Sequence, residues 1–562
     1  MRGSDPMEAF RICPVGDQAV LCEFDNEIDV QTNDRVQYLA VQIKAAHPKG
    51  VTEVLPTYRS LLIFYDQAIT TYRRLMPVIK KFSSIKASEM QEKKRIRIVP
   101  CCYGGEEGPD LAGMCRELGR SEEEIMQIHQ SVDYKIYMLG FLPGFVYLGG
   151  LDERIHMPRL SVPRTKIPAR SVGIGGNQTG VYPMESPGGW RLIGRTPLSF
   201  YDQTNDPPVL CKAGEYIRFA AVTEREYELI RQDVVNKVYR SLHEEGGDRM
   251  SMHILQAGPL TTVQDRGRFG YMEYGITSSG VMDTLAYSQL VSLLENEPGA
   301  AVLEMTLMGA ELVFDEDVYA AYTGADMQTV YDGGTLMERG HVYRIQKGHR
   351  LRFGMAKSGV RAYFAIAGTI EVPSVMGSRS TNLKCGLGGF EGRRLQNGDA
   401  LPIRAREFSE GEQKRLLKKT IDQTDYEREK TVRVILGPQK EMFTEEGVQT
   451  FLGSPYTVSV ESDRMGIRLE GEKVLADGNT DIISDGIVFG SVQVTTAGLP
   501  IVMMADHQTT GGYAKIATVI QEDLPILAQA RPGDRIRFVQ AELIKLQKHS
   551  PGRFLRMLCG RR

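Results

Sequence analysis

A short phrase recurs along this chain and restricts it to a fold built from several β units. Ala213-Gly214-Glu215-Tyr216-Ile217-Arg218-Phe219 returns as Lys347-Gly348-His349-Arg350-Leu351-Arg352-Phe353 and as Pro532-Gly533-Asp534-Arg535-Ile536-Arg537-Phe538. Asn397-Gly398-Asp399-Ala400-Leu401 is a weaker copy. In each, the glycine supplies a tight turn and the alternation after it turns one face of a strand inward. Recurrence at domain scale predicts repeated β-barrels. A second echo links the halves. Ser171-Val172-Gly173-Ile174, then Gln178, then Pro187-Gly188-Gly189-Trp190 is answered by Ser484-Asp485-Gly486-Ile487, then Gln493, then Gly511-Gly512-Tyr513. The shared order predicts two related barrels, in which glycines and amides let backbone approach a small polar ligand.

The chain has 562 residues, which is about three to five domains. Its net charge is -3, so nothing draws it as a whole to nucleic acid or to an anionic membrane. No apolar run reaches the length of a membrane span. No signal peptide is visible. Residues 1–6 read as an added leader, with Met7 as the natural start. Eight cysteines form no Cys-x-x-Cys pair, which fits a reduced cytoplasm and predicts neither disulfides nor a zinc site. Cys102, ahead of Tyr103-Gly104-Gly105, is the best-placed thiol, and a half-buried strand cysteine is its simpler reading.

Residues 7–90 read as a small α/β subdomain. Two short strands flank the turn Pro14-Val15-Gly16-Asp17, a helix spans 30–46, strands cover 51–57 and 61–65, and a helix lies near 70–83. Residues 91–243 read as a β-barrel that opens on an alternating strand at Arg95–Pro100. Ser121-Glu122-Glu123-Glu124 is a capping box that starts a helix running to about Tyr134. A polar linker occupies 244–251. A first β-rich subdomain covers 252–425, a second barrel 426–545, and a tail 546–562. The charged stretch 404–430 predicts a solvated helix or linker.

Several motifs have the composition of a site. Leu139-Gly140-Phe141-Leu142-Pro143-Gly144-Phe145 offers an apolar wall with open amides, or simply a buried turn. Pro158-Arg159, Pro163-Arg164, Lys166 and Arg170 gather cations on a stiffened segment, and Trp190-Arg191 and Arg195-Thr196 add more. Gly258 to Arg268 places Asp265 beside Arg266, an ion pair or a substrate clamp. Asp283 is a plausible N-cap. Gly377-Ser378-Arg379-Ser380-Thr381 suits oxyanion contacts, and His507 lacks a visible partner. There is no Gly-x-x-x-x-Gly-Lys-Ser/Thr loop, no Gly-x-Gly-x-x-Gly after a strand, and no Gly-x-Ser-x-Gly elbow. No Ala-Met-Lys-Met biotin attachment sequence occurs either.

Across about residues 8–540 these motifs resemble a known pair of families. Tyr103-Gly104-Gly105-Glu106, Gly140 to Phe145, Pro158-Arg159, Pro163-Arg164, Gln178-Thr179-Gly180 and Ser186 to Trp190 resemble the B subunit of 5-oxoprolinase, also called KipI or allophanate hydrolase subunit 1. Gly258 to Gly267, Ser279 to Asp283, Gly377 to Thr381, Asp463 to Gly466 and Gln508 to Tyr513 resemble the C subunit of 5-oxoprolinase, also called KipA or allophanate hydrolase subunit 2. The two look fused here. Where the family carries glycine in Pro-Ala-Gly-Ser-Val, this chain has Arg170.

The resemblance implies a mainly β, α+β chain, with cyclophilin-like barrels in both halves and a small N-terminal α/β subdomain. It implies kinship with the carboxyltransferase part of urea carboxylase. The activity it implies is ATP-dependent opening of 5-oxo-L-proline to glutamate, using ATP with Mg²⁺ and a separate 5-oxoprolinase A subunit, in the cytoplasm. A biotin-dependent carboxyltransferase acting on urea or a related amide is the alternative, with biotin supplied in trans. A KipI/KipA-like regulator of a sensor histidine kinase ranks third. Oligomeric state stays open, and no resident metal is expected. On this reading the catalytic candidates are Asp265, Arg266, Asp283, Arg379, Ser380, Arg464 and Asp506. Phe141, Gly144, Arg164, Gln178, Thr179, Trp190, Arg195, Gln508, Thr509 and Tyr513 are candidates for substrate binding, in a cleft between the halves.

Overall fold

In the computed structural model, which describes residues 10–82, 95–238, 250–332, 334–423, 425–544 and 546, the recurring phrase closes a barrel twice. Tyr216–Ala221 pairs in parallel with Ile96–Tyr103, and Arg535–Gln540 pairs in parallel with Glu429–Leu436. The glycines ahead of them, Gly214 and Gly533, sit at φ +89° and +86°, as a tight left-handed turn requires. Both barrels have seven strands in one circular order. The first runs Ile96–Tyr103, Arg191–Arg195, Ser171–Gly175, Gln178–Val181, Val146–Gly149, Tyr134–Leu139 and Tyr216–Ala221. The second runs Glu429–Leu436, Lys515–Val519, Ser491–Val494, Pro500–Met503, Gly466–Glu470, Tyr456–Val458 and Arg535–Gln540. The chain is thus mainly β, with barrels in both halves.

The third copy of the phrase does something else. Leu351–Arg352 lies inside a seven-stranded sheet that packs on a five-stranded one around Phe314, Phe353 and Phe364. The weaker copy leads into Ala400–Ala405 of the same seven-stranded sheet.

Each barrel also carries a two-stranded arm at the same point of its topology. In the first, Arg164–Ile167 pairs with Ser186–Gly188; in the second, Asp481–Gly486 pairs with Thr510–Tyr513. The Gly-Gly-aromatic part of the sequence echo therefore falls on equivalent arms. Its other parts do not. Ser171–Gly175 is a barrel strand, whereas Ser484 lies in an arm, and Gln178 and Gln493 sit on non-equivalent strands.

The N-terminal subdomain is a four-stranded antiparallel sheet in the order Arg11–Val15, Ala19–Glu23, Ser60–Tyr65, Val51–Pro56. Helix Val30–Ala46 covers one face through Val36, Leu39, Ala40 and Ile43, and is capped by Asp29, which accepts from Thr32 N at 2.8 Å. The capping box at Ser121 is present, although its helix stops at Gln130. On the strand Ile96–Tyr103 the inward residues are Val99 and Cys101, while Ile96 and Ile98 face outward. Cys102 is buried on that strand, and burial pushes its thiol pKa up, away from nucleophile behaviour. The stretch 404–430 divides into the end of strand Ala400–Ala405, the short helix Glu410–Leu416 and the start of Glu429–Leu436. The leader at 1–6, the linker residues 244–249 and the tail beyond 546 lie outside the described residues.

The two halves are locked together. The second face of the N-terminal sheet, through Val15, Leu21, Leu55 and Leu62, packs on Met272 and Val488 of the second half. Each fully buried leucine there contributes about 1.5–3 kcal/mol. Polar contacts rim the seam: Arg11–Glu441 at 2.7 Å, Gln67 Nε2 to Gln521 Oε1 at 2.7 Å, and Ser60 Oγ to Asp485.

Three buried acids lie at the seams. Burial raises Asp17 to about 6 and Glu53 to about 7, against hydrogen bonds from Gln67 and from Met272 N respectively. Burial raises Asp283 to about 6 as well. A carboxyl whose folded pKa lies above its unfolded value takes up a proton on folding. Its contribution is complete below about pH 4 and is lost as pH rises through 6–7. Buried His129 and His507, whose pKa values burial lowers, act in the opposite direction over the same window, because the unfolded imidazole takes up a proton that the folded one refuses. The acid therefore shows as a difference: we expect the excess unfolding free energy of wild type over Glu53→Gln, measured in urea, to be about 2 kcal/mol larger at pH 5.5 than at pH 7.5. A difference that does not change with pH would contradict it.

Candidate functional site between the halves

The loop after strand Tyr134–Leu139 reaches across to the second half. Phe141 adopts φ +65° and Gly144 φ +75°, and Gly144 N donates to Tyr274 O at 2.8 Å. A Cβ on Gly144 would stand 2.5 Å from Phe200 O, so only glycine fits. Gly140 lies flat on Thr510, where a Cβ would come 2.5 Å from Oγ1. The hydroxyls of Thr509 and Thr510 are buried without a protein partner. The Lys384 ammonium stands 5.2 Å from the centroid of the Phe141 ring. The loop that carries Phe141 and Gly144 therefore meets the second half at Thr509, Thr510, Tyr274 and Lys384.

Two charged nodes support the second-half wall. Asp265 is saturated: it accepts from Ser378 Oγ at 2.7 Å, Ser380 Oγ at 2.6 Å, Gly267 N at 2.8 Å and Arg379 N at 2.5 Å. The Arg379 side chain turns away to Val372 O at 3.1 Å, and Arg266 is exposed. Asp265 and Ser380 thus pin the loop 376–382. At the second node Arg464 is buried, donating to Asp506 at 2.8 Å, to Gly280 O at 2.6 Å and to Glu304. Burial alone would lower this guanidinium's pKa, and the carboxylates of Asp506 and Glu304 more than offset it, so it is raised. Glu304 also accepts from Met282 N at 2.9 Å. Asp283 caps helix Thr284–Leu293 through Ala286 N at 2.9 Å and accepts from Gln529 Nε2 at 2.8 Å, joining the sandwich to the last barrel. Both of its carboxylate oxygens are engaged by these two bonds.

Between the nodes lies a cation the sequence reading passed over. Arg268 is 1% exposed. One terminal nitrogen donates to Ser380 O at 2.7 Å, while Nε and the other terminal nitrogen have no partner. The hydroxyl of Tyr201, from the first half, is also buried and unpartnered. Burial pulls the Arg268 pKa down, and Asp265, Tyr201 and Asp506 oppose that. Leaving such donors unmet costs about 1–3 kcal/mol each, so the position invites an acceptor. Asp265-Arg266-Gly267-Arg268 offers two arginines, and the φ of +98° at Gly267 decides which one turns inward. No pattern in the sequence carries that angle.

The first-half candidates divide. Trp190 is buried against Phe145, Tyr147 and Tyr182 at 5.7, 6.5 and 6.2 Å, an aromatic layer behind the cleft loop. Gln178 donates to Tyr58 of the N-terminal subdomain. Thr179 lies inside the barrel, bonded to Gly173 O at 3.0 Å and His129 at 2.9 Å, and takes no part in the cleft. The expected cation cluster is largely neutralised. Arg164 is held by Asp110 at 2.7 Å, Arg195 by Glu107 at 3.1 Å, and Lys166 by Glu185 at 2.9 Å. Arg170 stands at φ +70°, a conformation that favours the family's glycine, with its N–H bonded to Tyr182 O. In the second half Gln508 is half-buried and its carbonyl accepts from buried His507, while Tyr513 is 39% exposed on the arm. Among the described residues no group of His, Cys, Asp and Glu is arranged to hold a metal ion. Among the described residues no helix is long and apolar enough to cross a membrane.

Comparison with known proteins bears on both halves. Residues 10–211 match the family described as carboxyltransferase domain, subdomain C and D, and residues 274–540 match carboxyltransferase domain, subdomain A and B. The B subunit of 5-oxoprolinase from Bacillus subtilis is 40% identical over 235 residues, covering 40% of this chain and 98% of that protein. The C subunit of 5-oxoprolinase from Escherichia coli is 38% identical over 292 residues, covering 52% of this chain and 92% of that protein. The crystal structure of TTHA0988 superposes with a TM-score of 0.80 at 30% identity, covering 93% of this chain and all of that one.

Proposed function

The chain belongs to the carboxyltransferase-domain family, with subdomains C and D ahead of A and B, and from that premise we propose that it is the B and C component of an ATP-dependent 5-oxoprolinase. The near end-to-end likeness of its halves to the B and C subunits of that enzyme supports the reading. The observation that carries it is Arg268, a buried cation that the protein leaves with spare donors.

5-Oxo-L-proline offers a carboxylate and a lactam. A buried guanidinium with donors to spare suits a carboxylate, which fixes the ring's orientation. The hydroxyls of Thr509 and Thr510 stand free for the lactam's polar edge, and the Phe141 wall excludes water from it. An unactivated amide carbonyl is a poor electrophile, and phosphorylation of its oxygen by ATP makes ring opening feasible. We give ATP to the separate A subunit of the proposed enzyme, and this chain the binding and orientation of the lactam.

Glutamate release from 5-oxo-L-proline with ATP and Mg²⁺ tests this, with and without the source organism's A subunit. We expect glutamate only when ATP, this chain and its partner A subunit come together. No turnover with a folded, paired A subunit would overturn the reading. The family's description would then favour a carboxyltransferase acting on a small amide, recognised by capture of a biotinylated protein.

A further inference from the structure

The two arms occupy the same place in two barrels of identical strand order, yet their surroundings differ. The arm of the second barrel is gripped. Asp485 receives Ser60 Oγ, Gly486 lies so close to Leu62 that a Cβ would stand 2.7 Å from it, and Ile483 packs against the cluster of Tyr58, Tyr137 and Met138. All of those partners belong to the first half. This arm is therefore a docking device that holds one folded unit against another.

The arm of the first barrel has no such partner among the described residues. Val162, in the loop leading into it, is 79% exposed, and Ser161, Thr165, Lys166 and Pro187 are exposed as well. Only its inner side is covered. Ile167 is buried with Tyr182 and Trp190, and a Cβ on Gly188 would meet the Tyr182 hydroxyl at 2.7 Å. Those rings belong to the cluster that includes Leu142 and Phe145 of the cleft loop. A chain seated on this arm would thus stand one aromatic layer from the cleft.

We propose that the exposed arm, Arg164–Ile167 with Ser186–Gly188 and the preceding Val162 loop, is the docking face for the separate ATP-binding protein chain. The proposal rests on the reading that such a chain completes the activity. Two observations support that occupant. The equivalent arm already joins protein to protein within this molecule, and the free arm packs through Ile167 on the aromatic cluster that carries Phe145 and borders Phe141, in the loop that meets the second half. A solvated, two-stranded ribbon with an open edge and a large exposed apolar side chain is also a ready template for another chain.

The test is the affinity of the full-length chain for the purified A subunit of the same organism, measured by titration calorimetry with ATP present. Wild type, Val162→Asp, Thr165→Glu and, as a control on a distant helix, Val41→Glu are compared. We expect both arm variants to weaken binding about tenfold or more, and the control to bind as wild type. Matching unfolding midpoints would show that the arm variants are folded. Arm variants that bind like wild type would overturn the docking face and leave the functional reading standing. A wild-type chain that binds no A subunit would overturn the functional reading, and the docking face with it.

Discussion

Arg464→Met lowers the unfolding free energy by about 3–5 kcal/mol. Arg464 is 5% exposed and spends every donor group: Nε on Asp506, one terminal nitrogen on Glu304, the other on Gly280 O. Methionine keeps much of the volume and removes the charge. Glu304, 1% exposed, then stands ionised with only Met282 N directly bonded to it. Buried Arg361 feels the same carboxylate, but its terminal nitrogen is committed to Ala528 O at 2.6 Å. An ionised carboxylate left without its partner is costly, whereas removing both charges together is often near neutral. The double variant Arg464→Met/Glu304→Gln should therefore recover a large part of the loss. Urea unfolding of the single and double variants measures both. A single variant within about 1 kcal/mol of wild type would show that the node does not hold the sandwich to the last barrel.

Much of the architecture was legible because local rules and the fold agree. Helix Val30–Ala46, its flanking strands and the Ser121 capping box follow from periodicity and caps alone. The recurring glycine phrase announced the barrels because barrel closure needs the same turn and strand each time. It also misled, since Gly348 opens an identical-looking strand that lies within an open sheet. The site was less legible. Arg164 read as a free cation, but its neutralising partner Asp110 is 54 positions away. Asp265 read as half of an ion pair or of a substrate clamp with Arg266, but its partners Ser378 and Ser380 are over a hundred positions away and consume it. Composition shows which charges exist. Only the fold shows which remain unspent.

That distinction governs the second large effect. Arg268→Met should lower kcat/KM for glutamate formation by about 10²–10³-fold while leaving the unfolding free energy unchanged or higher. The variant loses one hydrogen bond, to Ser380 O, worth about 1–1.5 kcal/mol. It also removes a buried cation with two unmet donors, whose burial is itself unfavourable. The two terms oppose each other, so a purely structural role predicts little change in anything measured. A role in holding the substrate carboxylate predicts a selective loss of activity, because a charged hydrogen bond from a fixed guanidinium orients as well as binds. Arg268→Lys separates the cases further. It keeps the charge without the planar fork, so it should fall between wild type and methionine, chiefly through a raised KM. Full activity in a folded methionine variant would remove Arg268 from the site. A methionine variant that unfolds would make it part of the scaffold, alongside Asp265 and Arg464. The asymmetry follows from one feature of the molecule: a buried guanidinium that the protein itself leaves only partly satisfied.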